Sequence, residues 1–312
     1  VSFVVGDAEY LESPLADAEF ADLYGLAWSS VMLGLDGEWF SLDRPDEGWV
    51  VTSVDTGAPV VRETGYEHPG ADGSFDDTSR VGARNILVAV TLIGSDRQGM
   101  LDLLGPWLSH RARPTLSIAT EPGGAHRSLV VRHTGDFSPT WNHKTAPPTL
   151  EGTIGFRTVG WPWWQSETVQ TATAFPNEGL PGLTFDVSFD VAFPDATGIG
   201  SSAIEVAGNV SSPWVARIFG PITGPTLVHE QSGQSVAFKD TLVIAGGDYL
   251  TVDSYNRTAY LNGVSSRYSF MDFTATRPDW FTLEPGTNTI RLTGSSFSTP
   301  AQAEITWRDS WR

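Results

Sequence analysis

Histidines, clustered carboxylates and a run of tryptophans are the residues through which this 312-residue chain could do chemistry. His126, His133 and His143 fall in one neighbourhood where strands and turns alternate, and grouped imidazoles suit a transition metal. Seven residues separate His126 from His133, so on one continuous strand their side chains would face opposite ways. Exposed or locally hydrogen-bonded imidazoles are the simpler expectation. Asp186 and Asp190 share one face of a cleanly alternating segment, while Asp272, Asp279 and Glu284 surround FTATRPDWFTLEPG. A glycosidase needs two carboxyl groups about 5–5.5 Å apart for retention or about 6.5–9.5 Å apart for inversion. Sequence spacing does not set such a distance, and solvated charges on a strand edge or a turn-rich surface account for both groups. In WPWW, Trp161 and Trp163 would share a face and Trp164 the opposite one. The cluster could form a sugar-stacking platform, but at least one ring is expected to be buried. No nucleophile elbow, phosphate-binding loop, zinc-protease helix or dinucleotide fingerprint is present. No catalytic, cofactor-binding or metal-binding residue is assigned, and no cofactor is expected.

The elements that must position these residues read as mostly β. Residues 183–193, LTFDVSFDVAF, alternate most cleanly: Leu183, Phe185, Val187, Phe189, Val191 and Phe193 on one face, polar residues and Ala192 on the other. That is the pattern of a half-buried antiparallel strand. Weaker alternation marks residues 86–92, 127–132, 249–253, 288–292 and 303–307. Pro122-Gly123-Gly124, Gly246-Gly247-Asp248, Asn262-Gly263 and Pro285-Gly286 supply turns between them. Short strands joined by such turns predict sandwiches rather than a parallel α/β sheet. One helix is expected over 96–108, with Ser95 as N-cap, an apolar stripe of Met100, Leu101, Leu104 and Leu108, and a kink or restart at Pro106. Length favours two domains, divided near the linker-like FPNEGLPG into 1–170 and 171–312. Residues 62–81 show no periodicity and read as a long loop or arm.

Composition narrows the class. With no cysteine, a disulfide-stapled fold, a thiolate metal site and a cysteine nucleophile are all excluded. Such a chain can fold in a reducing cytoplasm and later work outside the cell. VSFVVGDAEY lacks a basic n-region, so no signal peptide is expected, and no apolar run reaches the roughly 18 residues of a membrane helix. The net charge of −18 is uneven: −14 over residues 1–80, +3 over 81–165 and −7 over 166–312. An acidic segment followed by a mildly basic one could pair between neighbouring copies, with Arg84, Arg97, Arg111 and Arg113 as the basic candidates. Two lysines against 17 arginines fit packed or interfacial guanidiniums better than a nucleic-acid face.

Four carboxy-terminal segments carry a resemblance: PWVARIFGPITGPTLVH at 213–229, GGDYLTVDSYNRTAYLNG at 246–263, PDWFTLEPGTNTIRL at 278–292 and AEITWRDSW at 303–311. Their order resembles the carboxy-terminal domain of siphophage distal tail proteins. In those segments Leu250 and Val252 should point into the core, Tyr255-Asn256-Arg257 should turn the chain back, and Pro285-Gly286 should deliver Ile290 and Leu292 to the next strand. GEWF at 37–40, GARNILVAVTLIG at 82–94, the helix after it and RPTLSIA at 113–119 are similar to that family's ring domain. The resemblance implies two antiparallel β-sandwich domains. The first, 1–170, carries an added helix and makes a homo-hexameric ring. The second, 171–312, is a galectin-like sandwich on the outside.

The resemblance further implies a virion tail-tip structural protein, assembled in the bacterial host cytoplasm, without enzymatic activity. Its ring would join the tail tube protein to the tail-tip hub protein, near the tape measure protein, with receptor-binding or side-fibre proteins braced by the second domain. DNA would pass the channel without specific nucleic-acid binding, and no stable membrane insertion is expected. Two other classes stay open. A carbohydrate-binding β-sandwich protein for host attachment would need an exposed aromatic patch, and a glycoside hydrolase or lyase would need convergent carboxylates in a concave site.

Overall fold

The computed structural model describes residues 30–45, 48–62, 66–67, 74–75, 80–93, 97–119, 124–135, 137, 139–144, 149–176, 200–273 and 280–312. Within them the strand ladders are antiparallel. The residues divide into two units, Val1–Glu167 and Thr168–Arg312.

The first unit opens on a hairpin whose turn its sequence dictates. Strands β1 (Ser30–Leu35) and β2 (Glu38–Ser41) are joined by Asp36 and Gly37, with φ of 54° and 88°. A two-residue turn with both residues left-handed matches the twist of the paired strands, and Asp-Gly tolerates it. Then come β3 (Trp49–Asp55), β4 (Pro59–Arg62), the long β5 (Arg80–Ile93), helix α1 (Arg97–Leu108), β6 (Thr115–Ala119), β7 (Arg127–His133) and β8 (Thr149–Thr158). The hydrogen-bonded path runs β2-β1-β6-β7-β8-β5-β3, with β4 also paired to β5. Its two ends meet, because Phe40 on β2 packs edge-on against Trp49 on β3 at 5.5 Å. Trp107 of α1 reaches the same spot, 5.1 Å from Phe40. The path therefore folds over itself around one interior, which takes Val31, Leu33, Ile86, Val88, Val90, Leu92, Leu116, Leu129, Val131, Ile154 and Phe156. On β5 the even-numbered residues from Arg84 to Leu92 are buried, as period-2 alternation requires.

In the second unit two sheets enclose one core. One runs β9 (Gln170–Ala174), β17 (Gln302–Trp307), β11 (Trp214–Phe219), β14 (Tyr249–Asp253) and β15 (Thr258–Leu261). The other runs β10 (Ser201–Val206), β16 (Gly286–Thr293), β12 (Thr226–His229) and β13 (Ser235–Ala237). Ala216, Ile218, Leu250, Val252, Ala303 and Ile305 from the first meet Ile204, Val206, Leu227, Val236, Ile290 and Leu292 from the second. This is a two-sheet antiparallel sandwich.

Several expectations meet the structure here. Leu250, Val252, Ile290 and Leu292 are all buried. Asn262 and Gly263 take φ of 51° and 71°, and Val264 N–H closes their turn onto the Leu261 carbonyl at 3.1 Å. Gly286 has φ 91°, as a type II turn after Pro285 demands. Helix α1 continues through Pro106 to Leu108 instead of restarting after Gly105. Proline there removes only one of the last hydrogen bonds, and Leu104 is fully buried, so the helix end is held by packing. Residues 62–81, expected as a loop, include a short pairing of Tyr66–Glu67 with Ser74–Phe75. The strand expected at 183–193, with Asp186 and Asp190, lies outside the described residues, as do Ser95 and Asp279.

Replacing Phe156, wholly buried, by Ala should cost about 3–5 kcal/mol. Replacing Leu87 on the opposite face of neighbouring β5 by Ala should shift stability by about 0.5 kcal/mol. Urea unfolding of both variants checks the inner and outer rows; equal losses would contradict the assignment.

Candidate assembly surface

The first unit does gather a serine, a histidine and a carboxylate. Ser117 on β6 has its hydroxyl 3.1 Å from His126 Nδ1 and within short hydrogen-bond reach of Glu167 Oε1. A carboxylate only accepts, so the one hydroxyl proton goes to Glu167, and His126 must donate from Nδ1 to Ser117. A nucleophilic triad runs the other way: the imidazole takes the serine proton and the carboxylate holds the imidazole. Ser117 is also 0% exposed. The trio is a cross-link from buried Ser117 on β6 to half-buried His126 and exposed Glu167.

The other histidines are equally local. His133 on β7 donates from Nδ1 to the Leu108 carbonyl at 3.1 Å, tying the end of α1 to the sheet. His143 stacks on Trp141 at 6.0 Å and 9°. Thus His126, His133 and His143 serve three separate contacts, and no metal-holding cluster occurs among the described residues. Of the acidic residues near 273–286, Glu284 is exposed and its carboxylate accepts from Thr282 at 3.4 Å.

A network that sequence reasoning missed lies in the second unit. The Asn288 amide donates to the carbonyls of Glu284 and Gly286 at 2.7 and 2.9 Å, and its oxygen accepts the Glu284 N–H at 2.8 Å. That fixes the amide orientation, so His229 Nε2, 3.0 Å from the same oxygen, must carry a proton. His229 Nδ1 lies 2.7 Å from Ser232 Oγ, and the ring stacks on Phe281 at 5.3 Å. Phe281 in turn packs 4.8 Å from Trp214, whose Nε1–H donates to the Phe281 carbonyl at 2.9 Å. Asn two residues past Pro-Gly was the available signal, since an Asn side chain readily satisfies turn backbone.

The tryptophan cluster is partly buried, as the alternation required: Trp164 is inside, and Trp161 and Trp163 are half-buried. The guanidinium of Arg84 lies 5.7 and 5.8 Å from the ring centres of Trp163 and Trp164. Those two rings hold a cation of the same unit, which conflicts with a free sugar platform. Of the other basic candidates, Arg111 and Arg113 are exposed, and Arg113 donates to the carbonyls of His110 and Ala112 at 3.1 and 2.8 Å.

Among the described residues, the outer faces of β4 and β5 expose apolar side chains. Val81, Leu87 and Ile93 occupy the outer row of β5, all exposed, and Val61 of β4 pairs directly with Val81. In register, Leu87 lies between Asp55 and Gly155, and Asn85 pairs with Arg157. An apolar strip bordered by charge is the usual composition of a protein contact face.

Comparison with known proteins assigns the fold. Residues 207–311 match the family model described as siphovirus-type tail component, C-terminal domain. No curated protein matches the chain. Among solved structures, SPP1 Dit (gp 19.1), described as a paradigm of the hub adsorption apparatus in phages infecting Gram-positive bacteria, is similar over 91% of this chain and 100% of its own, at 13% identity and a TM-score of 0.60. A chain of the phage P2 baseplate in its activated conformation with Ca covers 90% of this chain and 98% of its own, at 14% identity and a TM-score of 0.44. The Sr form gives 13%, the same coverage and the same TM-score. The second unit therefore carries the C-terminal domain of the siphovirus-type tail component family, and the chain has the mostly β fold of a siphophage distal tail protein.

Asn288→Ala would strand the N–H and carbonyl of Glu284 and the Nε2–H of His229. At about 1–3 kcal/mol for a buried unpaired group, and with His229 buried but Glu284 exposed, a loss of about 1–3 kcal/mol is expected in thermal or urea unfolding of the second unit. An unchanged midpoint would show that the network is not structural.

Proposed function

We propose that this chain is a structural component of a phage tail tip, six copies of which close a ring between the tail tube protein and the tip hub protein, with DNA leaving through the hole. The observation that carries the reading is the likeness to SPP1 Dit over the full length of that protein, together with the tail-component match at 207–311. The outer strip of Val61, Val81, Leu87 and Ile93 supplies an apolar face for a neighbouring copy, and rings of identical subunits need such a face to meet a different patch on the next copy. A net charge of −18 suits a channel wall that must not retain a passing polyanion. The first unit forms the ring, residues 1–170 in the division read from sequence. The second stands outside it as a galectin-like brace for receptor-binding or side-fibre proteins, and the tape measure protein ends nearby. The role is a scaffold without catalysis, assembled in the host cytoplasm and carried on the virion.

A second reading, glycan binding, has an aromatic group in its favour. Tyr268 and Phe273 are exposed, 6.0 Å apart, and Trp280 lies parallel to Tyr268 at 6.5 Å. Rings arranged this way can stack on sugar faces.

A reconstruction of the tail tip should show six copies around an open channel; a monomer, or a trimer without a channel, would refute the ring. In solution, replacing Val81 and Leu87 together by Asp should weaken self-association at least tenfold, about 1.4 kcal/mol, with unfolding of the first unit unchanged. Saturable glycan binding lost on Tyr268→Ala, with assembly unaffected, would favour the second reading.

A further inference from the structure

One side chain in the first unit breaks the rule that buried charges are paired. Arg84 sits at the inner-row end of β5, 2% exposed. Its backbone N–H donates to buried Thr158 Oγ1 at 2.8 Å, which fixes the strand there. The guanidinium lies over Trp163 and Trp164. Nε is sealed from solvent and makes no hydrogen bond, and among the described residues no carboxylate or carbonyl accepts from the fork. Burial pulls the pKa of the group down from its ordinary value, as it must for a cation stripped of water without a counter-charge. The two indoles orient the guanidinium plane and favour the cation, but they supply no acceptor. Such a fork is preorganised for a planar two-oxygen anion, met end-on through its two Nη nitrogens.

Resting on the ring reading above, we propose that Arg84, clamped by Trp163 and Trp164, is the receptor for a carboxylate donated by a second copy of this chain. The donor is an Asp or Glu of the acid-rich first 80 residues. Charge argues for that occupant. Residues 1–80 carry 17 acidic side chains against 3 basic ones, while 81–165 carry 8 basic against 5 acidic. Each copy therefore brings both halves of the contact. Exposed Arg111 and Arg113 make salt-screened rim contacts at most. Arg84 already has its water removed, so a carboxylate reaching it forms a bidentate bond in a low-dielectric slot. The orientation of that bond sets the register between copies.

The test uses the full chain with two substitutions. Arg84→Met keeps the volume and the apolar contacts with the indoles while removing the charge. Since an unpaired buried cation does not stabilise a monomer, its thermal midpoint should stay at or above that of the parent. Its self-association, read by sedimentation velocity, should weaken at least tenfold. Arg84→Lys places an amine in the slot. Carbodiimide coupling of an equal mixture of ¹⁴N and ¹⁵N copies should then yield an isopeptide from position 84 to an acidic residue within 1–80, joining light to heavy chains. Coupling only within one chain, or self-association unchanged in Arg84→Met, would overturn the proposal while leaving the ring reading intact. Thermal protection by inorganic phosphate that vanishes in Arg84→Met, with association unaltered, would assign the slot to a phosphate group and overturn it too. A parent that stays monomeric under every condition, beside its tail partners included, would defeat the ring reading and the proposal together.

Discussion

One fourteen-residue strand, Arg80–Ile93, fixes what the first unit can bury and what it can offer. Pleating sends alternate side chains to opposite faces, so a single register decides both rows at once. The even row places Ile86, Val88, Val90 and Leu92 in the interior, and the odd row leaves Val81, Leu87 and Ile93 outside. A slip of one residue would exchange the rows. Pairing with Trp49–Asp55, Pro59–Arg62 and Thr149–Thr158 at once blocks that slip, because three partners would have to move together. The closure of Phe40 on Trp49 depends on the same register, since Trp49 is held opposite Leu92.

Those features were legible in the sequence to different degrees. The alternation of residues 86–92 was readable because one face is wholly apolar and buried. So were the turns at Asn262-Gly263 and Pro285-Gly286, where left-handed φ values leave few residue choices. The hairpin at Asp36-Gly37 carried an equally plain signal, but its strands VMLGL and EWFS are short and do not alternate cleanly. Pro106 misled for a physical reason. A proline costs a helix most in the interior, and this one lies in the last turn, above a buried Leu104. Arg84 was named from charge alone, as one of four arginines near an acidic segment. Only the fold shows that Trp163 and Trp164, about eighty residues away, cover it and set it apart from exposed Arg111 and Arg113.

The residues that first suggested chemistry illustrate how structure reassigns polar groups. Ser117, His126 and Glu167 come together, yet proton accounting gives the serine's hydrogen to the carboxylate and leaves the imidazole as donor. His229 and Asn288 come together in the second unit, yet each donor there already faces an acceptor. A nucleophile needs an open approach and a free base; Ser117 is instead fully buried with its proton donated to Glu167, and His229 and Asn288 are buried and paired to each other. A paired buried network such as that of His229 and Asn288 holds one geometry.

Saturation does not extend to every buried polar group. In the second unit, Asn288 satisfies its donors and acceptor within its own turn, independent of any other molecule. Among the described residues, unpaired buried side-chain polar atoms occur in both units: Arg84 Nε, Trp107 Nε1 and His133 Nε2 in the first, Ser212 Oγ and Trp307 Nε1 in the second. They are not equivalent. His133 donates through Nδ1, so its Nε2 is an idle acceptor, whereas Trp107 and Arg84 hold donors with no acceptor, and Arg84 adds a charge. Groups left wanting an acceptor after folding gain more from a partner than groups already paired. Of these five atoms only Arg84 Nε belongs to a cation, so it has the most to gain from an added acceptor.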